Sequence, residues 1–332
     1  MVPMNRFLIL FLLILHSLSA VPALVFVHLG QTVPPYLTTA VAQARLFNPD
    51  IPIYVLVNQI VLLRRELSNE VKENAICVAV ESLDREPVHD LFKRNYRLAR
   101  QGFWLFATER FYYLYELMKK YQLTDVFHME NDIMLYVDLK ELLPTFQKHY
   151  AKMIAATFDN EDRCIGGFMY FPSLEPFEQF LQFATNPAYG SKSDMYLLGL
   201  FKNTHRGRYI DHLPITLPAY ADDYPLITPN GLSAKENPPY FHHFDEFQSI
   251  FDAAAIGQYL GGIDPIHTGS PTVGFVNEAC VFNPSYFQYQ WVRDEQDRLV
   301  PFIVYKNEKY RINNLHIHCK NLKQFYSKKG AE

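Results

Sequence analysis

The sequence predicts an α/β protein with one mostly parallel central sheet and helices on both faces. Three observations carry this expectation. The first half alternates short apolar runs with runs of helical periodicity. Those apolar runs are continuous, as in strands buried on both faces. The 332-residue chain also shows no linker, repeat or low-complexity segment that would separate a second domain. With 49% hydrophobic residues, 20% charged residues and a formal net charge of −4, disorder is excluded and so is wrapping of a nucleic-acid backbone.

The elements follow in order. Leu24–Leu29 reads as the first strand, ending in His28-Leu29-Gly30, and Tyr36–Phe47 as a helix before the turn Asn48-Pro49-Asp50. Ile51–Val57 is the second strand, ending at Asn58. Arg64–Asn74 is expected to be helical and Ala75–Val80 to be the third strand, with Cys77 as a small core residue. Trp104–Tyr121 is a strong helix, because Trp104, Phe111, Leu114, Tyr115 and Met118 recur at three- and four-residue steps. Asp125–Met129 is the fourth strand. The second half is less regular: a Pro/Tyr/Asp stretch over Leu217–Tyr240, a helix near Phe247–Leu260 and a terminal strand over Arg311–His318.

The N-terminus has its own pattern. Arg6 is the only charge in the first 44 residues and precedes nine apolar residues, Phe7–Leu15. Small residues follow near Ala20 and Ala23. This describes a signal peptide over 1–23, with an uncleaved anchor as the alternative. The run is shorter than the roughly 20 residues a spanning helix needs. Either way the body is expected to be exported or to enter the secretory pathway, with membrane association only through this segment. No N-glycosylation sequon is present, which argues against a heavily glycosylated lumenal protein. Cys77, Cys164, Cys280 and Cys319 lack metal-ligand spacing and leave the redox compartment open.

The most chemical segment is Glu130-Asn131-Asp132, directly after the fourth strand. Ligands in such sheets bind beyond the carboxyl ends of strands. Two carboxylates held there repel unless a cation or hydrogen bonds compensate. Hard oxygen ligands of this kind suit Mn²⁺ or Mg²⁺ bridging to a diphosphate, against the plainer reading of a solvated acidic turn. Asn314–Lys320 alternates with period two, which would place His316, His318 and Lys320 on one face of a strand. Two imidazoles beside a lysine are poor core material and good material for a metal and a diphosphate.

An early nucleotide-binding α/β half, an acidic triplet after a central strand and a late His plus Lys resemble the GT-A-fold glycosyltransferases. The triplet is E-N-D where the family has D-x-D. The likeness covers most of 24–325, with a nucleotide-binding half over about 24–140, an acceptor half over about 141–325 and a tail over 326–332. Gly166–Phe171 resembles the glycine-then-strand segment that flanks the donor sugar, and Ser193-Asp194-Met195 a helix opening in that fold. Phe251–Gly262 and Phe275–Glu278 look like further motifs.

The resemblance implies a Rossmann-like sheet, a nucleotide-diphospho-sugar donor and a glycan, lipid or protein acceptor. It makes Asp132 the main metal ligand, with Glu130 holding the metal through water or the ribose hydroxyls. His316 or His318 would complete the shell, and Lys320 would contact phosphate. His28, Gly30, Gln31 and Asn58 would hold the nucleoside. Arg110 would contact phosphate or ribose, unless it pairs with Glu109 or Glu116. Asp194, Asp252 and Glu278 are the carboxylates that could serve as general base for an acceptor hydroxyl. Asp159, Glu161 and Asp162 are expected to be mostly solvated. Aromatics are 15% of the chain and are expected mainly in the core; Tyr36, Trp104, Tyr196, Tyr240 and Trp291 are the candidates for stacking on sugar or base. Two other functions fit the same residues: a sugar- or nucleotide-binding protein without turnover, and a metal-dependent phosphohydrolase.

Overall fold

The computed structural model describes residues 21–96, 103–228, 231–232, 239–264 and 273–328. The expected signal segment therefore lies outside the described residues, apart from Val21, Pro22 and Ala23. Strands β1 (Ala23–His28), β2 (Ile53–Val57) and β3 (Ile76–Ala79) run parallel, with α1 (Tyr36–Phe47), α2 (Gln59–Leu63) and α3 (Asn69–Asn74) between them. Next come α4 (Pro87–Asn95), α5 (Phe103–Tyr121), β4 (Val126–Met129) and β5 (Ile133–Leu135). Beyond these lie α6 (Leu139–His149), β6 (Ile154–Asn160), β7 (Arg163–Phe171), α7 (Leu174–Ala184), α8 (Asp194–His205) and β8 (Ile210–His212). The sheet order is β3-β2-β1-β4-β7-β6-β8. β1 and β4 pair in parallel, whereas β7 is antiparallel to both β4 and β6.

Both faces of this sheet are covered, which is why its strands read as continuous apolar runs. Along β1, Leu24 and Phe26 pack with α1 and α6 on one face. Ala23, Val25 and Val27 pack with α4, α5, α7 and α8 on the other. The expected α/β class with a mostly parallel sheet is what the chain adopts.

The rest of the chain comprises α9 (Pro218–Asp223), a β9 (Ile227–Thr228) and β10 (Gly231–Leu232) pair, α10 (Phe244–Phe247), β11 (Ser249–Ile250) and α11 (Ala255–Gly261). It closes with β12 (Gln288–Arg293), β13 (Leu299–Tyr305), β14 (Glu308–Ile312) and β15 (Asn314–His316). β11 and β12–β14 form a second sheet, while β15 pairs with β5.

Several expectations need correction. The helix expected over Arg64–Asn74 covers only Asn69–Asn74: α2 ends at Leu63, and α3 starts after Ser68, whose hydroxyl accepts the Val71 N–H at 3.2 Å. Cys77 is half-buried rather than core, because β3 is the sheet edge and neighbouring Ile76 is 50% exposed. The helix near Phe247–Leu260 is broken into α10, β11 and α11, with Ala254 in the left-handed region at φ 70°. The terminal strand is likewise two strands in different sheets. Asp159 is not solvated: it is fully buried and takes a bidentate pair from Arg163. The packed chain also runs past 325, since Ser327 is buried and its hydroxyl donates to the Leu299 carbonyl at 2.6 Å. All four cysteines are free thiols.

Candidate active site

From β1 the chain goes outward to β2 and β3, then returns to β4 on the other side of β1. The carboxyl ends of β1 and β4 therefore flank a topological switch point, where sheets of this kind open a crevice. A cavity of about 710 Å³ lies there. His28 and Leu29 enter it from the end of β1, and Glu130-Asn131-Asp132 from the β4–β5 turn. Arg110 enters from α5, Gly166 from β7 and Asp194 from the first turn of α8.

The acidic turn is pinned from both sides. The Glu130 N–H donates to the Gly167 carbonyl at 2.9 Å, and the Ile317 N–H to the Asp132 carbonyl at 2.9 Å. β15 lies antiparallel to β5 with His316 opposite Ile133. This ladder brings His316 Nε2 to 3.2 Å from Asp132 Oδ2 and 3.5 Å from Glu130 Oε2. The donor atoms of Glu130, Asp132 and His316 lie within 4.8 Å of one another. Two cations attend them. Lys320 pairs with Asp132, and Arg110 pairs with Glu130 and, at 2.8 Å, with Asp194.

The electrostatics follow from this crowding. Burial pushes Asp132 upward, but Lys320 and His316 outweigh it and hold the carboxyl well below the usual carboxylate range. Glu130 is lowered in the same way, with Arg110 and His316 overcoming burial. Burial lowers His316, yet the two carboxylates hold its net value above the ordinary 6.5. Asp194 goes the other way: burial prevails over Arg110 and lifts it to about 6.

These residues fit a divalent cation. Two ionised carboxylates and one imidazole nitrogen converge on a single point, a donor set that carboxylate-preferring metals such as Mn²⁺ and Mg²⁺ accept. The imidazole is oriented by packing. A Cβ on Gly167 would stand 2.9 Å from His316 Nδ1, so only glycine leaves room for the ring.

Of the residues expected here, the structure brings His28, Arg110, Glu130, Asp132, Asp194, His316, His318 and Lys320 to the cavity. His318 Nδ1 accepts the Asp264 N–H at 2.9 Å. It and Lys320 reach the cavity from a turn after β15, with Lys320 at φ 65°, rather than from a shared strand face. Arg110 does not pair with Glu109 or Glu116, which both bond His89 instead.

Four expectations are corrected. Asp252 is 1% exposed, and its carboxylate accepts the N–H groups of Ile256 at 2.9 Å, Gly257 at 2.8 Å and His316 at 3.0 Å. It ties α11 to β15 and does not line the cavity. Glu278 is exposed, and its neighbour Asn277 lines the cavity in its place. Gly30 and Asn58 bond each other, N–H to Oδ1 at 2.8 Å, and Asn58 Nδ2 donates to Glu81, so they brace the strand ends. Gln31 is exposed outside the lining. Among the aromatics, Tyr36 and Trp104 line the cavity. Tyr240 and Trp291 pack in or against the core, and Tyr196 stands 40% exposed beside Lys192.

Sequence reasoning missed Phe103, Phe106, Arg163, Gln258 and Asp264, which also line the cavity. For Phe103 and Phe106 a signal existed: with Ala107 and Arg110 they follow the three-, four- and seven-residue spacing of one helix face. Asn131 Oδ1 and Gln258 Oε1 are buried in the lining without a hydrogen-bond partner, which leaves two acceptors open to ligand.

No family model matches the chain, and no curated protein matches its sequence. Solved structures do. The apo form of mouse xyloside xylosyltransferase 1 is 10% identical, covering 61% of this chain and 90% of its own, with a TM-score of 0.45. The galactosyltransferase LgtC, in complex with donor and acceptor sugar analogues, is 15% identical over 58% of this chain and 73% of its own, with a TM-score of 0.39. A cytidylyltransferase from Leptospira borgpetersenii serovar Hardjo-bovis is 11% identical over 59% of this chain and 76% of its own, with a TM-score of 0.38.

Proposed function

We propose that this protein is a metal-dependent glycosyltransferase that moves a sugar from a nucleotide-diphospho-sugar to a carbohydrate or glycoconjugate acceptor. The observation that carries this reading is the convergence of Glu130, Asp132 and His316 at the switch point of the sheet, flanked by Lys320 and Arg110. Glu130, Asp132 and His316 would hold Mn²⁺ or Mg²⁺. When bound, the ion would supply Lewis-acid neutralisation of the leaving nucleoside diphosphate.

The chain's own groups do the rest. Lys320 is positioned to neutralise phosphate oxygens, and Arg110 keeps Glu130 oriented. Tyr36 and Trp104 offer aromatic walls to a base or sugar ring. The open acceptors on Asn131 and Gln258 suit sugar hydroxyls. Asp194 is the carboxylate we assign to take the acceptor proton. It lines the cavity, and its value near 6 is close to what a general base needs near neutral pH.

We also propose export through the N-terminal segment. Cleavage after Ala20 is better supported than cleavage after Ala23, because Ala23 is a buried residue of β1 whose N–H donates to the Asp125 carbonyl at 3.3 Å. Among the described residues no helix is long and apolar enough to cross a membrane.

The test is a thermal-shift screen of nucleoside diphosphates with and without Mn²⁺, followed by a donor-hydrolysis assay. A ligand at 100 times its Kd raises stability by about 2.7 kcal/mol. The expected result is a shift for one nucleotide that requires Mn²⁺ and disappears in Asp132→Ala. Binding without hydrolysis or transfer would support the non-catalytic alternative. A wild type with no metal-dependent nucleotide binding would sink the proposal.

A further inference from the structure

On the other side of α5 from the cavity lies a second ionic cluster. His89 of α4 is fully buried. Its Nδ1 is 2.9 Å from Glu116 Oε1 and its Nε2 is 3.0 Å from Glu109 Oε1. An ionised carboxylate only accepts hydrogen bonds, so both ring nitrogens must be donors, and an imidazole with two N–H groups is the cation. The surroundings agree. Lys93 pairs with Glu109 at 2.7 Å, and with His89 protonated the two cations balance the two carboxylates.

The remaining neighbours leave the ring little alternative. From α5, Tyr112 stacks on it at 5.0 Å and Tyr113 meets it edge-on at 4.8 Å. The Tyr113 hydroxyl donates to Glu109 at 3.3 Å and accepts from Arg85 at 3.1 Å. Before α4, the Glu86 N–H donates to Glu116 at 3.0 Å, and the Glu86 carboxylate is held by Lys119. Glu178 of α7 is exposed and acts only through its charge, on Tyr115 and Lys119. Loss of the ring proton would set a bare nitrogen lone pair against a buried carboxylate oxygen, 2.9 Å away at Glu116 or 3.0 Å away at Glu109, a repulsive contact that is expensive at low dielectric.

Glu109 is followed immediately by Arg110. Phe103, Phe106, Ala107 and Arg110 form the cavity face of the same helix. We infer that His89, held as an imidazolium between Glu109 and Glu116, is a positioning residue that fixes α5 against α4 and so makes the cavity wall carrying Arg110 and Trp104 pH-sensitive. The sign is set by the shift. Burial lowers His89, but Glu109 and Glu116 raise its net value above 6.5. Its contribution is therefore complete below 6.5 and is lost as pH rises through the raised value. The wall is held below 6.5 and loosens as pH rises through the raised value. This part stands apart from the proposed activity; only its consequence for donor binding rests on that reading.

The test is NMR on the full chain. Long-range ¹H–¹⁵N spectra report the His89 ring, assigned with His89→Gln, and the two tryptophans give two indole signals, assigned with Trp291→Phe. Both His89 nitrogens should be protonated at pH 6.5, with a midpoint above 6.5. The Trp104 indole signal should move with the same midpoint and should lose that transition in His89→Gln. Glu116→Gln keeps the imidazole and should lower the midpoint of both signals, which covers a His89 variant that fails to fold. A ring that titrates at or below 6.5, or a Trp104 transition unchanged in these variants, would overturn the inference.

Discussion

Two places in this molecule hold nearly the same groups, two carboxylates, an imidazole and a side-chain cation, and put them to different use. At the cavity, His316 turns one nitrogen, Nε2, to both Asp132 and Glu130, at 3.2 and 3.5 Å. The three donors converge, and the space they face opens into the cavity. Around His89 the carboxylates sit on opposite ring nitrogens, at 2.9 and 3.0 Å. Those donors diverge, and each contact is closed by burial. Ligand binding needs convergence with one open side, whereas divergence uses the same charges to clamp two helices. Composition does not separate the two cases; direction does.

Substitution separates them most sharply. Glu116→Ala leaves a buried imidazolium with one partner and should cost about 3–5 kcal/mol in urea unfolding, the range for breaking a buried pair. Asp132→Ala should cost about 1 kcal/mol, because the Lys320 side chain is 31% exposed and can turn to cavity water. If Asp132→Ala proves the more destabilising, the contrast between clamp and ligand site is wrong.

Gly257→Ala tests how rigidly the convergent cluster is held. A Cβ there would stand 2.0 Å from the His316 carbonyl oxygen, so β15 or α11 must move. The expected loss is about 3 kcal/mol, at the upper end for overpacking. Mn²⁺ affinity, followed by electron paramagnetic resonance of the free ion, should fall roughly 10-fold or more as His316 shifts. Unchanged Mn²⁺ affinity in a folded variant would mean that His316 is not a ligand.

The smallest effect is in pH. The proposed metal binding would need neutral His316, whose value burial lowers but the adjacent carboxylates raise overall. Mn²⁺ affinity should therefore rise as pH rises through that value, by up to about tenfold per unit below it. The His89 clamp loosens in the opposite direction, so binding should pass through a maximum. Calorimetric titrations at about pH 6, 7 and 8 should show the rising limb. A flat profile in this range would remove His316 from the metal set.

Much of this was legible in the sequence. Continuous apolar runs marked β1, β2 and β4 because a two-sided core demands them, and Glu130-Asn131-Asp132 followed from its place after β4. Ser193 and Asp194 were readable as a helix opening, and the Ser193 hydroxyl does accept the Tyr196 N–H at 3.3 Å. Asp252 was the instructive miss. A carboxylate before a run of alanines looks available for chemistry, but three backbone N–H groups consume it, and only the fold brings the His316 N–H to it. Cys77 failed for a related reason: an apolar run does not say whether its strand lies at the centre or the edge of a sheet.

The sequence by itself determined the α/β class, the acidic turn and the presence of a late histidine-lysine segment, because these depend on periodicity and on residues near one another in the chain. It did not determine which histidine meets Asp132, or that His89 is caught between two glutamates. His316 and Asp132 are 184 residues apart, and their meeting depends on the β5–β15 ladder. His89 and Glu116 meet only because α4 packs against α5. Side-chain direction at such contacts is set by packing across the chain, and that is why tertiary structure alone decided which cluster opens to a ligand and which closes on itself.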